Sequence, residues 1–250
     1  MTCVAPTVAA LMQIPAPAAT VGQAIPQLVE SLGPCARVAI LAPDALGLFP
    51  WRRWRHAMPF LDSMHDRHSL VLRAVMPTIT PVNFATMISG VPRDVHGIGS
   101  FKDDFACETL FDVLAAEGLR GAGVGRQGWT GGELLARYAQ IGGVGPGDDD
   151  GPLEGLVLDA AAQDADFIIA QIGETDKAFH RHGPSSPEVE QTVRTMDGVL
   201  MRLTTALRGL GYAVLILSDH GQHDTERGGS HGTEADEDAL VPLTWAPAEA

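Results

Sequence analysis

Tyr212-Ala-Val-Leu-Ile-Leu-Ser-Asp-His-Gly221 is the stretch that decides the fold. Its first six residues form an uninterrupted apolar run, the pattern of a parallel strand buried on both faces. Polar residues follow at once, and in open α/β sheets binding and catalytic groups lie just beyond the carboxyl ends of the strands. Asp219 and His220 occupy that position. The same arrangement recurs upstream. Asp44 follows the apolar run Val38-Ala-Ile-Leu41, and Asp176 and His180 follow Phe167-Ile-Ile-Ala170. His231 lies shortly after the Asp-His pair. The fold expected is α/β, with a mostly parallel central sheet and helices on both faces. Three of its strands then bring carboxylates and imidazoles to one edge.

Carboxylate and imidazole are the ligand types that zinc takes at short range while keeping a position open. Asp44, Asp176, His180, Asp219, His220 and His231 are more ligands than one ion needs, which points to two divalent metals. A pair of metals can clamp the entering and leaving oxygens of an in-line displacement. A nucleophile is offered by Met76-Pro-Thr-Ile-Thr80. Thr80 precedes the helical pattern of Phe84, Met87 and Ile88, so its hydroxyl belongs at a helix N-terminus, where an anion is favoured. Thr78 sits further from that terminus. Thr86 falls inside the helix, where a hydroxyl usually bonds back to its own backbone.

Taken in order, these residues resemble a known family. Asp44, Pro77-Thr-Ile-Thr80, Gly90-Val-Pro-Arg-Asp-Val-His-Gly97, Asp176-x-x-x-His180-x-His182-Gly-Pro184, Ser218-Asp-His-Gly221 and Ser230-His-Gly232 look like the alkaline phosphatase superfamily. Within it they resemble the type I phosphodiesterase/nucleotide pyrophosphatase and phosphonoacetate hydrolase branch. The resemblance implies that Asp44, Thr80, Asp219 and His220 surround one metal and that Asp176, His180 and His231 hold the other. It further implies hydrolysis of a small phosphate mono- or diester, or of a phosphonate, through a phosphothreonine at Thr80. A nucleotide pyrophosphatase or phosphodiesterase acting on nucleotides is the alternative, as is a metal-binding member of the fold without turnover. A formylglycine sulfatase is disfavoured, because no Cys stands in a Cys-x-Pro-x-Arg context.

One departure concerns substrate contacts. Relatives carry an Asn after the step that reads His96-Gly97-Ile98 here, whereas this chain continues Gly99-Ser-Phe-Lys-Asp103. Lys102 or Ser100 is expected to replace it, and His182 is a further candidate for substrate binding. His96 is expected to brace the turn rather than touch metal.

At 250 residues and 45% hydrophobic content, the chain can build one sizeable core. Residues 1–20, rich in Ala and Pro, are expected as an N-terminal arm, extended or packed as a tail, with the metallohydrolase domain over 21–250. A net charge of −14 disfavours nucleic acid as a partner, while two bound divalent cations would let the site accept a small phosphorylated anion. Three widely spaced Cys, no basic-then-apolar leader and no apolar stretch of about 20 residues predict a cytoplasmic protein without a membrane span. The Gly/Asp run from Gly142 to Pro152 reads as a solvated loop, and His56, His65 and His68 as solvated side chains.

Overall fold

The computed structural model describes residues 1–249. Nine strands run β1 (Arg37–Pro43), β2 (Leu70–Arg73), β3 (Gly121–Arg126), β4 (Ile141–Gly145), β5 (Phe167–Ile172), β6 (Tyr212–Leu217), β7 (His223–Thr225), β8 (Gly228–Ser230) and β9 (Leu240–Ala246). Seven of them form the central sheet in the order β2-β9-β6-β1-β5-β3-β4, while β7 and β8 pair as a separate hairpin. β6, β1, β5, β3 and β4 are mutually parallel, and β9 and β2 close one edge antiparallel. The expected class is therefore the observed one.

Alternation along the middle strands explains their uninterrupted apolar character. Val38, Ile40 and Ala42 of β1 enter one hydrophobic core, whereas Ala39 and Leu41 enter the other. In β6, Leu215 and Leu217 face the first of these layers and Tyr212, Val214 and Ile216 the second. A strand covered by helices on both sides has no solvent face on which to place polar residues. The long helix Glu190–Gly209 covers one face through Val193, Met196, Leu200, Leu203 and Leu207, the stripe its sequence spacing predicts.

The opposite face is covered by the helices Thr80–Ser89 and Leu110–Ala116 and by the first residues of the chain. Val4–Met12 form a helix whose Val4, Val8 and Leu11 are buried in the same core as Phe84 and Ile88. Of the two forms expected for this segment, the packed one is observed, with Pro6 in the first helical turn and Pro15 beyond the helix end.

The Gly/Asp run departs from its reading in two ways. Ile141–Gly145 is strand β4, held beside β3 by a regular parallel register. Asp150 is not simply solvated: it accepts a hydrogen bond from the Glu174 N–H at 2.8 Å and lies 3.1 Å from Nε of the buried Arg126. His65 is likewise buried, 2.9 Å from the Ser69 hydroxyl, and burial lowers its pKa to about 4.

Candidate active site

Asp44, Asp176 and Asp219 lie beyond the ends of β1, β5 and β6, three strands adjacent in the sheet. The sheet therefore delivers three carboxylates side by side. Asp176 and His180 share a face of the helix Glu174–His182, with Asp176 Oδ1 3.3 Å from His180 Nε2. The β7–β8 hairpin ends at Ser230 and places His231 Nε2 3.1 Å from His180 Nε2 and 3.7 Å from Asp176 Oδ1. Asp219 Oδ2 lies 3.2 Å and Asp44 Oδ1 3.7 Å from His220 Nε2. All six sequence-predicted ligands thus converge. The imidazoles of His220 and His231 stack with ring centres 4.0 Å apart, between the two halves of the cluster.

Backbone contacts orient each imidazole. Nδ1 of His180 lies 3.2 Å from the Gly229 carbonyl oxygen, Nδ1 of His220 2.9 Å from that of Gly221, and Nδ1 of His231 2.8 Å from that of Thr78. A carbonyl only accepts, so each Nδ1 carries a proton, and in the neutral ring each Nε2 then carries a lone pair. Two such lone pairs face one another at the His180–His231 contact. Asp176 Oδ1 and Asp219 Oδ2 are buried without a hydrogen-bond partner. Buried carboxylate oxygens without a partner are costly, and cations held beside them would satisfy both. Two groups meet the proximity that one ion requires: Asp44, Asp219 and His220, and Asp176, His220 and His231. The donor set fits zinc, with His220 within reach of both groups.

The electrostatics agree with a cation site. Burial, together with the charges of Asp219 and Asp176, pushes the Asp44 carboxyl well above the carboxylate range, and burial pushes Asp219 to about 7. Burial and the neighbouring His220 hold His231 down at about 4. Burial would also raise Asp176, but the close approach of His180 and the charges of His220, His180 and His231 outweigh it and hold Asp176 low. The same proximity of Asp176 raises His180. Metal loading must therefore expel protons from Asp44, Asp219 and His180, which are protonated at low pH and compete with the ion. Apparent zinc affinity is expected to fall as pH drops below about 7, with proton release on binding larger near pH 6 than near pH 8. Calorimetric titrations in buffers of different ionisation enthalpy check this, and an affinity independent of pH over that range contradicts it.

Thr80 opens the helix Thr80–Ser89, with Pro81 in its first turn. Its Oγ1 lies 3.1 Å from His220 Nε2 and 3.5 Å from Asp44 Oδ1. The competing hydroxyls are occupied elsewhere. Thr78 is buried, donates to the Thr233 carbonyl and accepts from the Gly232 N–H, so it pins the His231 loop. The Thr86 hydroxyl lies 3.2 Å from Nε2 of the buried His96, which ties the helix to the turn after it. Gly221 is required for a different reason: a Cβ there would stand 2.1 Å from the Glu237 carbonyl oxygen, so a larger residue would displace the Asp219-His220 loop.

Beside Thr80 opens a cleft of about 330 Å³, lined among others by Ser100, Phe101, Trp129, Thr130, Gln171 and Asp176. Ser100 thus lies in the cleft wall. Lys102 is exposed and does not line the cleft, and His182 is exposed at the end of its helix. Four residues around the site were not singled out from the sequence. Trp129 and Thr130 form part of the cleft wall, and Gln171 donates through Nε2 to Asp44 Oδ2 at 2.5 Å. Asp238 accepts from the N–H and hydroxyl of Thr233 and lies 2.7 Å from His223 Nδ1, fastening the loop that carries His231. Gln171 alone left a plain signal, an amide inside an apolar strand.

An open α/β sheet with two carboxylate–imidazole groups and a threonine hydroxyl at one edge defines a candidate metallohydrolase. Comparison with known proteins sharpens that class. The family model for type I phosphodiesterase / nucleotide pyrophosphatase matches residues 127–241. Venom phosphodiesterase from Naja atra is 26% identical over 205 residues, covering 67% of this chain and 24% of that protein. The catalytic subunit of human GPI ethanolamine phosphate transferase 2 is 34% identical over 210 residues, 74% of this chain and 20% of that protein. The chain thus spans a quarter or less of these relatives' length.

Among solved structures, phosphonoacetate hydrolase from Sinorhizobium meliloti 1021 with phosphonoformate superimposes with a TM-score of 0.57 at 18% identity, over 76% of this chain and 57% of that one. Murine ectonucleotide pyrophosphatase/phosphodiesterase 5, as an inactive threonine-to-alanine form with AMP, gives a TM-score of 0.67 at 12% identity, over 85% of this chain and 88% of that one. The chain resembles the type I phosphodiesterase / nucleotide pyrophosphatase family over residues 127–241, and it shares its fold with these solved structures.

Proposed function

We propose that this chain is a two-zinc hydrolase of small phosphate esters or phosphonates that works through a phosphothreonine at Thr80. The observation that carries the reading is the Thr80 hydroxyl beside His220 Nε2 and Asp44, at the meeting point of the two carboxylate–imidazole groups. Asp44, Asp219 and His220 would hold one metal, with Thr80 beside it, and Asp176, His180 and His231 the other. Bound divalent cations supply the positive charge that acidifies the Thr80 hydroxyl and offsets the charge of the phosphoryl group.

Thr80 Oγ1 gives its proton to solvent and bonds to phosphorus as the bond from phosphorus to the leaving oxygen breaks, and the leaving oxygen takes up a proton from solvent. Water then forms a new O–P bond as P–Oγ1 breaks, which returns Thr80 and releases the phosphoryl product. The N-terminus of the Thr80–Ser89 helix favours the anion through both steps. Ser100 and Thr130 offer hydroxyls to the remaining phosphoryl oxygens from the cleft wall, and Lys102 stays in solvent.

A nucleotide substrate is the second reading, and one observation favours it. Phe101 and Trp129 give the cleft an aromatic wall, and flat apolar side chains suit a base or another planar leaving group. Trp129 brings the segment between β3 and Asp176 into that wall. The murine relative bound to AMP is consistent with this. Metal analysis followed by kcat/KM on an aryl phosphate monoester, an aryl phosphodiester, phosphonoacetate and a dinucleotide tests both readings. Turnover of the small esters supports the first, a clear preference for the dinucleotide supports the second, and a metal-loaded protein inert towards all four contradicts both.

A further inference from the structure

We propose that Gln171 is a positioning residue that sets the Asp44 carboxylate and the substrate-cleft wall in register with each other. The inference rests on the proposed two-metal hydrolase and adds a specificity-determining group to it. Gln171 lies in β5, where the other residues of Phe167–Ile172 are apolar, and only 2% of its surface is exposed. An amide buried there is costly unless its polar atoms are satisfied. Both ends are. Nε2 donates to Asp44 Oδ2 at 2.5 Å, and Oε1 accepts the backbone N–H of Gly131.

The two partners belong to different parts of the site. Asp44 turns its other oxygen, Oδ1, towards Thr80 Oγ1 at 3.5 Å and His220 Nε2 at 3.7 Å. Holding Oδ2 therefore decides where Oδ1 points. Gly131 directly follows Trp129 and Thr130, which line the cleft, and opens the helical turn Gly131–Leu135. The wall packs tightly at this point, since a Cβ on Gly131 would stand 2.9 Å from Gln171 Cβ and 2.7 Å from the Val124 carbonyl oxygen. One side chain thus touches a proposed metal ligand with its donor end and the substrate wall with its acceptor end. Only an amide supplies both, because an ionised carboxylate cannot donate and an apolar side chain can do neither.

Two variants separate the two ends. Gln171→Glu keeps an acceptor for the Gly131 N–H and removes the donor to Asp44, whereas Gln171→Met removes both at similar volume. Metal affinity is measured by competition with a chromophoric chelator, and KM for an aryl phosphodiester at saturating zinc. Both variants are expected to bind one zinc equivalent about 10–100-fold more weakly than the wild type. Gln171→Glu should keep KM within about twofold, the level at which an intact wall contact leaves ground-state binding unchanged. Gln171→Met should raise KM several-fold, because the wall is released as well. Wild-type metal affinity in both variants overturns the proposal, as does an equal KM in both. If Gln171→Glu does not fold, Gln171→Met decides alone, and wild-type metal affinity or wild-type KM in it overturns the proposal. A wild-type protein that binds no metal or turns over no ester refutes the proposed function instead, so the two failures are distinguishable.

Discussion

Thr80→Ala is expected to lower kcat by about a thousandfold or more while leaving the fold and metal content unchanged, the scale of loss when a covalent nucleophile is removed. The hydroxyl is the only part of the residue that approaches the site, at 3.1 Å from His220 Nε2 and 3.5 Å from Asp44 Oδ1. Alanine suits the start of a helix well enough that the Thr80–Ser89 segment should persist. Serine at the same position should recover much of the rate, because it restores a hydroxyl. Steady-state kinetics with circular dichroism and metal analysis check this. A Thr80→Ala protein that keeps more than a few per cent of the wild-type rate would mean that water attacks phosphorus directly.

Asp219→Ala and His231→Ala should each reduce bound zinc from about two equivalents to about one and lower kcat/KM by at least about a hundredfold, since two-metal displacement needs both charges. His220→Ala should be more damaging, because His220 is near enough to both groups to affect either ion. Its ring also stacks on that of His231, so its loss removes packing as well as a ligand. Elemental analysis after zinc reconstitution decides the stoichiometry. Two full equivalents in both Asp219→Ala and His231→Ala would show that the ions sit elsewhere.

The metal half of the site was legible in the sequence for a definite physical reason. Asp44, Asp176 and Asp219 each follow an apolar run that reads as a strand buried on both faces, and parallel strands deliver their carboxyl ends to one edge. Thr80 was legible because Pro81 and the apolar spacing after it mark a helix start. The substrate half was not. Trp129 and Thr130 line the cleft only because Gly131 packs onto β5, a long-range contact that leaves no local periodicity. Strand β4 was read as loop because Gly142 and Gly143 are poor strand formers, and its pairing with β3 overrides that propensity. His65 and Asp150 were misread for a related reason, since composition describes a residue's own chemistry and not the surface that tertiary packing places against it.

The stereochemical course at phosphorus tests the central claim most directly. A phosphodiester analogue made chiral by sulfur would be hydrolysed in isotopically labelled water by the zinc-loaded wild-type protein, and the configuration of the product determined. Attack by Thr80 followed by attack of water is two in-line displacements, each of which inverts phosphorus. The account therefore predicts net retention. Net inversion would contradict it, because a single displacement by water forms no bond between Thr80 and phosphorus.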